Sequence, residues 1–269
     1  MSADPLLDPL RRLEPRGSLL VVTGAGISLA SGIPTFRGTD RDAIWKRDVM
    51  ELGTWGYFEE DPVGSWRWYL SRFDLVFGAK PNAGHTALAA LERWHAGRGG
   101  RFLLVTQNID TLHEQAGSRA MVKVHGSADR LRCTRSGCVH GAPRGSIARA
   151  EVDLARFVER PCAERLPRCP ACGAVLRQHV LWFDETYDSH DDYAFDRVLE
   201  AAHTPDLVLF VGTSFSVGAT DAILRAGRHM RPTVLSLDPG EHAPPPGVTG
   251  LRLKAEEALP AVCRALGAV

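Results

Sequence analysis

The chain has 269 residues, 44% hydrophobic and 24% charged, with 32 acidic and 32 basic side chains. It is long enough for one large domain, or a domain with a sizeable insertion, around a real core. Zero formal net charge argues against a nucleic-acid partner and against a membrane surface, and no apolar run is long enough to span a bilayer.

The start, "MSADPLLDPLRRLEPRGS", lacks a basic segment followed by an apolar one, so a cytoplasmic location is expected. There the six cysteines are metal ligands or free thiols rather than disulfides. "SLLVV" reads as a buried strand that breaks at "TGAGIS", where two glycines allow a tight turn. Residues 39–82, rich in Trp, Tyr and Phe, read as a helical insertion. "HTALAALERWHAG" carries Leu88, Leu91 and Trp94 at helical spacing, with Gly97 as the expected C-terminal cap. "RFLLV" is a strand, "IDTLHEQAG" a short helix ending at Gly117, and "MVKV" a further strand-like run. Residues 130–180, rich in Cys, Pro, Gly and Arg, read as a second insertion. Then come the strand "DLVLFVG", the helix "ATDAILRAGRHM", the strand "PTVLSLD", the surface loop "HAPPPGVTG" and a last helix, "ALPAVCRALGAV". Wholly apolar strands alternating with helices predict an α/β fold with a parallel sheet covered on both faces. The large part then comprises residues 1–38, 83–129 and 181–269, and the two insertions make the small part.

Cys133-x4-Cys138 is followed, after a thirty-residue gap, by Cys169-x2-Cys172. Four thiolates so spaced suit a closed, tetrahedral, structural Zn²⁺, with Cys162 and His140 as rival ligands. Such a site would hold together an insertion too small to make its own core. Cys263, on an apolar helical face, reads as core.

In open parallel sheets, ligands gather beyond the carboxyl ends of the strands. Gly24–Ser28, Gln107–Asp110, His125 and Gly212–Ser214 all fall at such ends. The first glycine turn could cradle a phosphate, but Leu29 stands where a dinucleotide fingerprint wants a third glycine. His125 ends a strand and precedes Gly126, which favours a ring facing the crevice; His85 and His113 lie in helical patterns and read as structural.

The words "GAGIS", "GIPTFR", "QNID", "HG", the Cys pairs, "VLWFDE" and "GTS" resemble, in this order, those of the sirtuins, NAD⁺-dependent protein deacylases. The resemblance runs from about Leu19 to Leu266. It implies a Rossmann-like large domain, a small domain made of a zinc-binding module and a helical insertion, and NAD⁺ meeting acyl-lysine in the cleft between them. By resemblance, Gly24, Ala25, Gly26 and Ser28 line the pyrophosphate and ribose, and Phe36 and Arg37 lie in a mobile cofactor loop. Gln107, Asn108, Ile109 and Asp110 form the nicotinamide and ribose pocket, with Asn108 also positioning a ribose hydroxyl or water. Gly212, Thr213, Ser214 and Asp238 face the adenosine ribose and phosphate, and Ala255 sits near the adenine. His125 matches the general base that follows attack of the acyl oxygen on C1′, and the products are nicotinamide, free lysine and O-acyl-ADP-ribose. Val180, Trp182 and Phe183 belong to the segment that pairs with the substrate backbone. Tyr69 and Arg72, three apart on one helical face, match the Tyr-x-x-Arg pair of the desuccinylase-like class, which would clasp a distal carboxylate.

Three residues depart from the family words: Gln178 for Pro, Asp184 for Gly, and Asp238 for Asn. If the Gly position needs a positive φ, Asp184 costs strain there, and its charge would repel an acidic acyl group. Two rival readings stay open: a sirtuin-like NAD⁺ glycohydrolase or ADP-ribosyltransferase, and a non-catalytic zinc-ribbon binding module. The expected partners are acylated-lysine proteins or peptides, and the oligomeric state is left open, a monomer included.

Overall fold

A computed structural model of the chain describes residues 4–35, 49–241 and 243–268. Its main sheet has six parallel strands in the order β3-β2-β1-β7-β8-β9. These are β1 (Ser18–Thr23), β2 (Arg101–Thr106), β3 (Met121–Lys123), β7 (Leu207–Val211), β8 (Thr233–Leu237) and β9 (Thr249–Leu251). The chain steps outward from β1 to β2 and β3, then returns to place β7 on the other side of β1. That reversal opens a crevice at the strand ends. Register makes the ends flush, because Thr23 lies opposite both Thr106 and Val211.

The strands are apolar throughout because both faces are buried. Leu19 and Val21 join Leu104, Leu209 and Leu235 in a core beneath α1 (Asp4–Arg12), α5 (Ala83–Gly97) and α10 (Ala255–Leu266). Leu20 and Val22 join Val105, Val208 and Phe210 beneath α8 (Phe195–His203) and α9 (Gly218–Gly227). Asn82 starts α5 by accepting the Gly84 N–H at 2.9 Å. The expected cap at Gly97 is corrected. The helix includes Gly97, Arg98 is its cap, and the left-handed residue is Gly99, with φ +82°. Short α6 (Leu112–Ala116) does stop at a left-handed Gly117.

A second sheet, antiparallel in the order β5-β4-β6, comprises β4 (Gly126–Cys133), β5 (Ile147–Ala148) and β6 (Leu176–Val180). It packs with α4 (Pro62–Gly78), α3 (Trp55–Glu60) and α7 (Ala155–Glu159) around an aromatic core of Phe58, Trp66, Tyr69, Phe73, Phe157 and Trp182. The short α2 (Val49–Leu52) precedes α3. Among the described residues no helix is long and apolar enough to cross a membrane.

Candidate active site

The crevice floor is a contact between glycines. Gly24 N–H donates to Val211 O at 3.0 Å and Gly26 N–H to Gly212 O at 2.8 Å. A Cβ on Gly24 would lie 2.7 Å from Gly212 O, and one on Gly26 2.7 Å from Gly212 Cα. The glycines are therefore required by close approach of two backbones, not by the turn conformation expected: Gly24 has an extended φ of −122°. Only Gly212 is left-handed, at +60°. Ala25–Ser31 forms a 3₁₀ helix rather than an α-helix.

Beyond β2 the polar groups converge on Ser28. Its Oγ donates to Asp110 Oδ2 at 2.9 Å and accepts from Asn108 Nδ2 at 3.1 Å. Asn108 Nδ2 also donates to Gly24 O at 3.1 Å, and Gln107 Nε2 donates to Thr213 Oγ1 at 3.2 Å. Loops after β1, β2 and β7 are thus joined by the side chains the sequence singled out. Ile109 contributes backbone, its carbonyl accepting the Ala128 N–H at 2.8 Å. Two buried histidines back this cluster: His85 Nε2 lies 3.5 Å from Ser28 Oγ, and His113 Nε2 lies 3.0 Å from Thr23 Oγ1. Burial pushes His85 down to about 4 against the pull of Asp110, and pushes His113 well below the ordinary range. Both are the structural residues expected, yet they border the crevice, which helical spacing alone does not reveal.

His125 follows β3, half-buried. Its Nδ1 lies 2.8 Å from the Gln107 carbonyl, which can only accept, so Nδ1 carries the proton. The Nε2 lone pair then faces the Tyr187 hydroxyl at 3.2 Å. Burial lowers the ring's pKa, partly offset by the Gln107 bond, so the imidazole is neutral near pH 7. Tyr187, stacked between His125 and Phe195, carried no signal in the sequence.

Beside β7 and β8 a cavity of about 290 Å³ is lined by Thr213, Ser214, Ser236, Asp238 and Gly240. Asp238 Oδ1 accepts the Gly240 N–H at 2.7 Å. Ala255 is the first residue of α10, buried against α5 near Gly84 and not on this cavity. Phe36 and Arg37 lie outside the described residues.

A Sir2 family model matches residues 24–219. The chain belongs to the Sir2 family. Curated relatives include the NAD-dependent protein deacylase of Aeropyrum pernix, 36% identical over 91% of each chain. That of Thermus thermophilus is 40% identical over 77% of this chain and 73% of its own. A solved Sir2 homologue mutant in complex with ADP-ribose superposes with TM-score 0.79 at 33% identity, covering 99% of this chain and 97% of that one. A Sir2 homolog–NAD complex gives 0.78 at 32%, covering 98% and 93%.

In this Sir2 chain, residues 181–183 are strung between two loops. Leu181 N–H donates to His125 O and Phe183 N–H to Gly53 O, each at 3.0 Å. Phe183 is 48% exposed, whereas Val180 and Trp182 are buried, so of the three only Phe183 offers its side chain to solvent. The segment is held by Arg177, which the sequence reading missed. Its guanidinium covers the Trp182 ring at 3.2 Å and bonds Glu185 at 2.8 Å and 2.9 Å. Burial pushes Glu185 up, but Arg177 and Arg132 outweigh it, so the carboxyl titrates below its usual range.

The concern over Asp184 is answered. It is not among the left-handed residues, and its carboxylate accepts the Trp55 N–H at 2.8 Å and the Gly56 N–H at 3.1 Å at the start of α3. Gln178 is fully buried in β6, its amide without a hydrogen-bond partner. Tyr69 is buried against Trp182, centroids 6.3 Å apart, and the Arg72 guanidinium sits 4.1 Å over the Trp68 ring.

The four cysteines converge. Cys133 and Cys172 sulfurs are 3.4 Å apart and those of Cys138 and Cys169 3.6 Å, with all four within 4.8 Å of one another. A disulfide needs about 2.05 Å; a zinc tetrahedron with bonds of about 2.3 Å has edges near 3.8 Å. The set fits a structural Zn²⁺, Cys162 and His140 being outside it. Gly173, left-handed at φ +74°, turns the chain so that Cys169 N–H reaches Ala174 O at 2.7 Å. Cys263 is core, bonded to Ala87 O.

Proposed function

We propose that this Sir2 chain is an NAD-dependent protein-lysine deacylase acting on acylated-lysine peptides in the cytoplasm, with His125 as general base. The observation that carries the reading is the His125 ring, its Nδ1 proton held by the carbonyl of Gln107 and its Nε2 lone pair facing the Tyr187 hydroxyl, while the neighbouring Asn108 and Asp110 side chains meet on Ser28. The donor set fits the cofactor. Gly24, Ala25, Gly26 and Ser28 would hold the pyrophosphate and ribose. Gln107, Asn108, Ile109 and Asp110 would hold the nicotinamide end. Gly212, Thr213, Ser214 and Asp238 would hold the adenosine end, beside the cavity of about 290 Å³, whose lining includes the Thr213, Ser214 and Ser236 hydroxyls, the Asp238 carboxylate and Arg252; Ala255, off this cavity, would not. Bound NAD⁺ supplies an anomeric carbon that becomes electrophilic as nicotinamide leaves. Asp110, oriented by the Ser28 hydroxyl, would bind the carboxamide, and Asn108, pinned to Gly24 O, would orient a ribose hydroxyl or water. His125 accepts a proton at Nε2, a task suited to an imidazole that is neutral near pH 7. The four cysteines would hold Zn²⁺ as a structural clamp.

The test is an acetyl-lysine peptide with NAD⁺, read by mass spectrometry. O-acetyl-ADP-ribose is expected, falling about 10²–10⁴-fold in His125→Ala while NAD⁺ binding is retained. Free ADP-ribose or an ADP-ribosylated protein without acyl transfer would favour the glycohydrolase or transferase reading. No NAD⁺ binding in calorimetry would favour the non-catalytic module.

A second reading concerns the acyl group. Tyr69 and Arg72 as a clasp for succinyl- or malonyl-lysine rests on their three-residue spacing in α4; the Asp184 charge, engaged by two α3 amides, repels an acidic ligand less than a free carboxylate would, whereas Tyr69 is buried against Trp182. Arg72→Ala should cut activity on succinyl-lysine much more than on acetyl-lysine. Equal losses would count against the clasp.

A further inference from the structure

A second set of ligand-type side chains lies outside the cysteines and outside the crevice. His179 in β6 and His190 are each 1% exposed, and Asp192 projects between them at the rim of a cleft of about 610 Å³. His179 Nε2 lies 3.1 Å and His190 Nδ1 3.8 Å from Asp192 Oδ2. All three ligand atoms lie within 4.8 Å of one another. A cation with bonds of about 2.0–2.1 Å to nitrogen and oxygen sets tetrahedral edges of roughly 3.3 Å, close to these separations.

Three details argue for more than a buried His–Asp pair. First, His179 Nδ1 is buried with no hydrogen-bond partner among the described residues, and Nε2 has one polar contact, the Asp192 carboxylate at 3.1 Å. A buried imidazole whose single polar contact is a carboxylate can give up the proton between them and offer the same nitrogen to an ion that both share. Second, His190 is oriented from behind. Its Nε2 lies 3.0 Å from Gly145 O, which fixes the proton there and turns the Nδ1 lone pair inward. Third, Ser146 Oγ donates to Asp192 Oδ2 at 3.0 Å, which orients the carboxylate.

We propose that His179, His190 and Asp192 form a second metal site for a borderline divalent cation such as Zn²⁺ or Co²⁺, with solvent from the cleft completing its coordination. Binding exchanges one hydrogen bond, because His190 Nδ1 now accepts the Asp192 N–H at 3.1 Å. The site is therefore weaker than the four-thiolate one and is emptied first by a chelator. It joins the end of β6 to the turn at Asp191–Tyr193, and His179 is followed by Val180, which pairs with Gly126 beside His125. The proposal does not depend on the deacylase reading.

The experiment uses the full chain with zinc in the cysteine site, treated with a mild chelator and equilibrated with Co²⁺ or Zn²⁺. Elemental analysis should give two metals per chain in the wild type and one in His190→Ala and in Asp192→Asn. The added Co²⁺ should show visible bands without a thiolate charge-transfer band, and added Zn²⁺ should raise the melting temperature of the wild type only. One metal per chain in the wild type overturns the proposal, as does a second that persists in both variants. Retained cysteine-bound zinc is the folding control; if His190→Ala loses it, the half-exposed Asp192→Asn decides.

Discussion

The parallel sheet and the aromatic module beside it bury their interiors by different means. The sheet relies on repeated aliphatic rows: Leu19, Val21, Leu104 and Leu209 on one face, Leu20, Val22, Val105 and Phe210 on the other. The module, with one long strand and two shorter ones, adds large rings, four cysteines and a buried guanidinium to its aliphatics. The difference teaches where each part is vulnerable. Truncating one aliphatic leaves the sheet a local cavity with its other rows intact, whereas losing one thiolate releases the metal that all four hold.

The sharpest break should come from Cys169→Ser. With one thiolate gone, the module should lose its zinc and become protease-sensitive between about residues 130 and 180, while the sheet keeps its secondary structure. Zinc content and limited proteolysis read this directly, and a variant that lost metal but stayed resistant would remove the metal from the account. Next, Trp66→Ala should destabilise by about 3–5 kcal/mol in urea unfolding. Its ring is fully buried, packs edge-on to Phe157, and donates to Leu176 O at 2.8 Å. A loss below about 1 kcal/mol would mean that the ring is replaceable. The smallest effect separates the parts by pH. His85 titrates near 4 when folded and near the ordinary 6.5 when unfolded, so below that range's top the unfolded chain binds more protons. Stability should therefore fall as pH drops from about 6.5 toward 4, and His85→Asn should flatten that slope. An unchanged slope would move the effect to other histidines. In the module, Glu185 titrates low, so the loss of its pairing with Arg177 should follow only at more acid pH.

What the sequence revealed follows the same divide. The strands of the main sheet were legible because burial on both faces leaves an unbroken apolar run, and Gln107–Asp110, His125 and Gly212 were legible because they end such runs. Chemistry that depends on packing between distant segments was not. Tyr187 meets His125 across 62 positions, and His85 meets Ser28 across 57. The short antiparallel strands β4 to β6 alternate too little for their period to stand out. At Asp184 local propensity suggested strain, and a distant helix start removed it.

The bond from Trp66 to Leu176 joins two insertions that enter the chain at separate places, and those from Asp184 to α3 and from Phe183 to Gly53 tie the helical one to the segment just after the other. Neither is a portable part. Grafting the cysteine-bearing one onto another scaffold would take from Phe157 the Trp66 ring it packs against, and grafting the helical one would leave Trp66 facing water. Whatever rearrangement the cleft undergoes, these two insertions should travel as one rigid jaw, with the hinge where the chain crosses to the sheet.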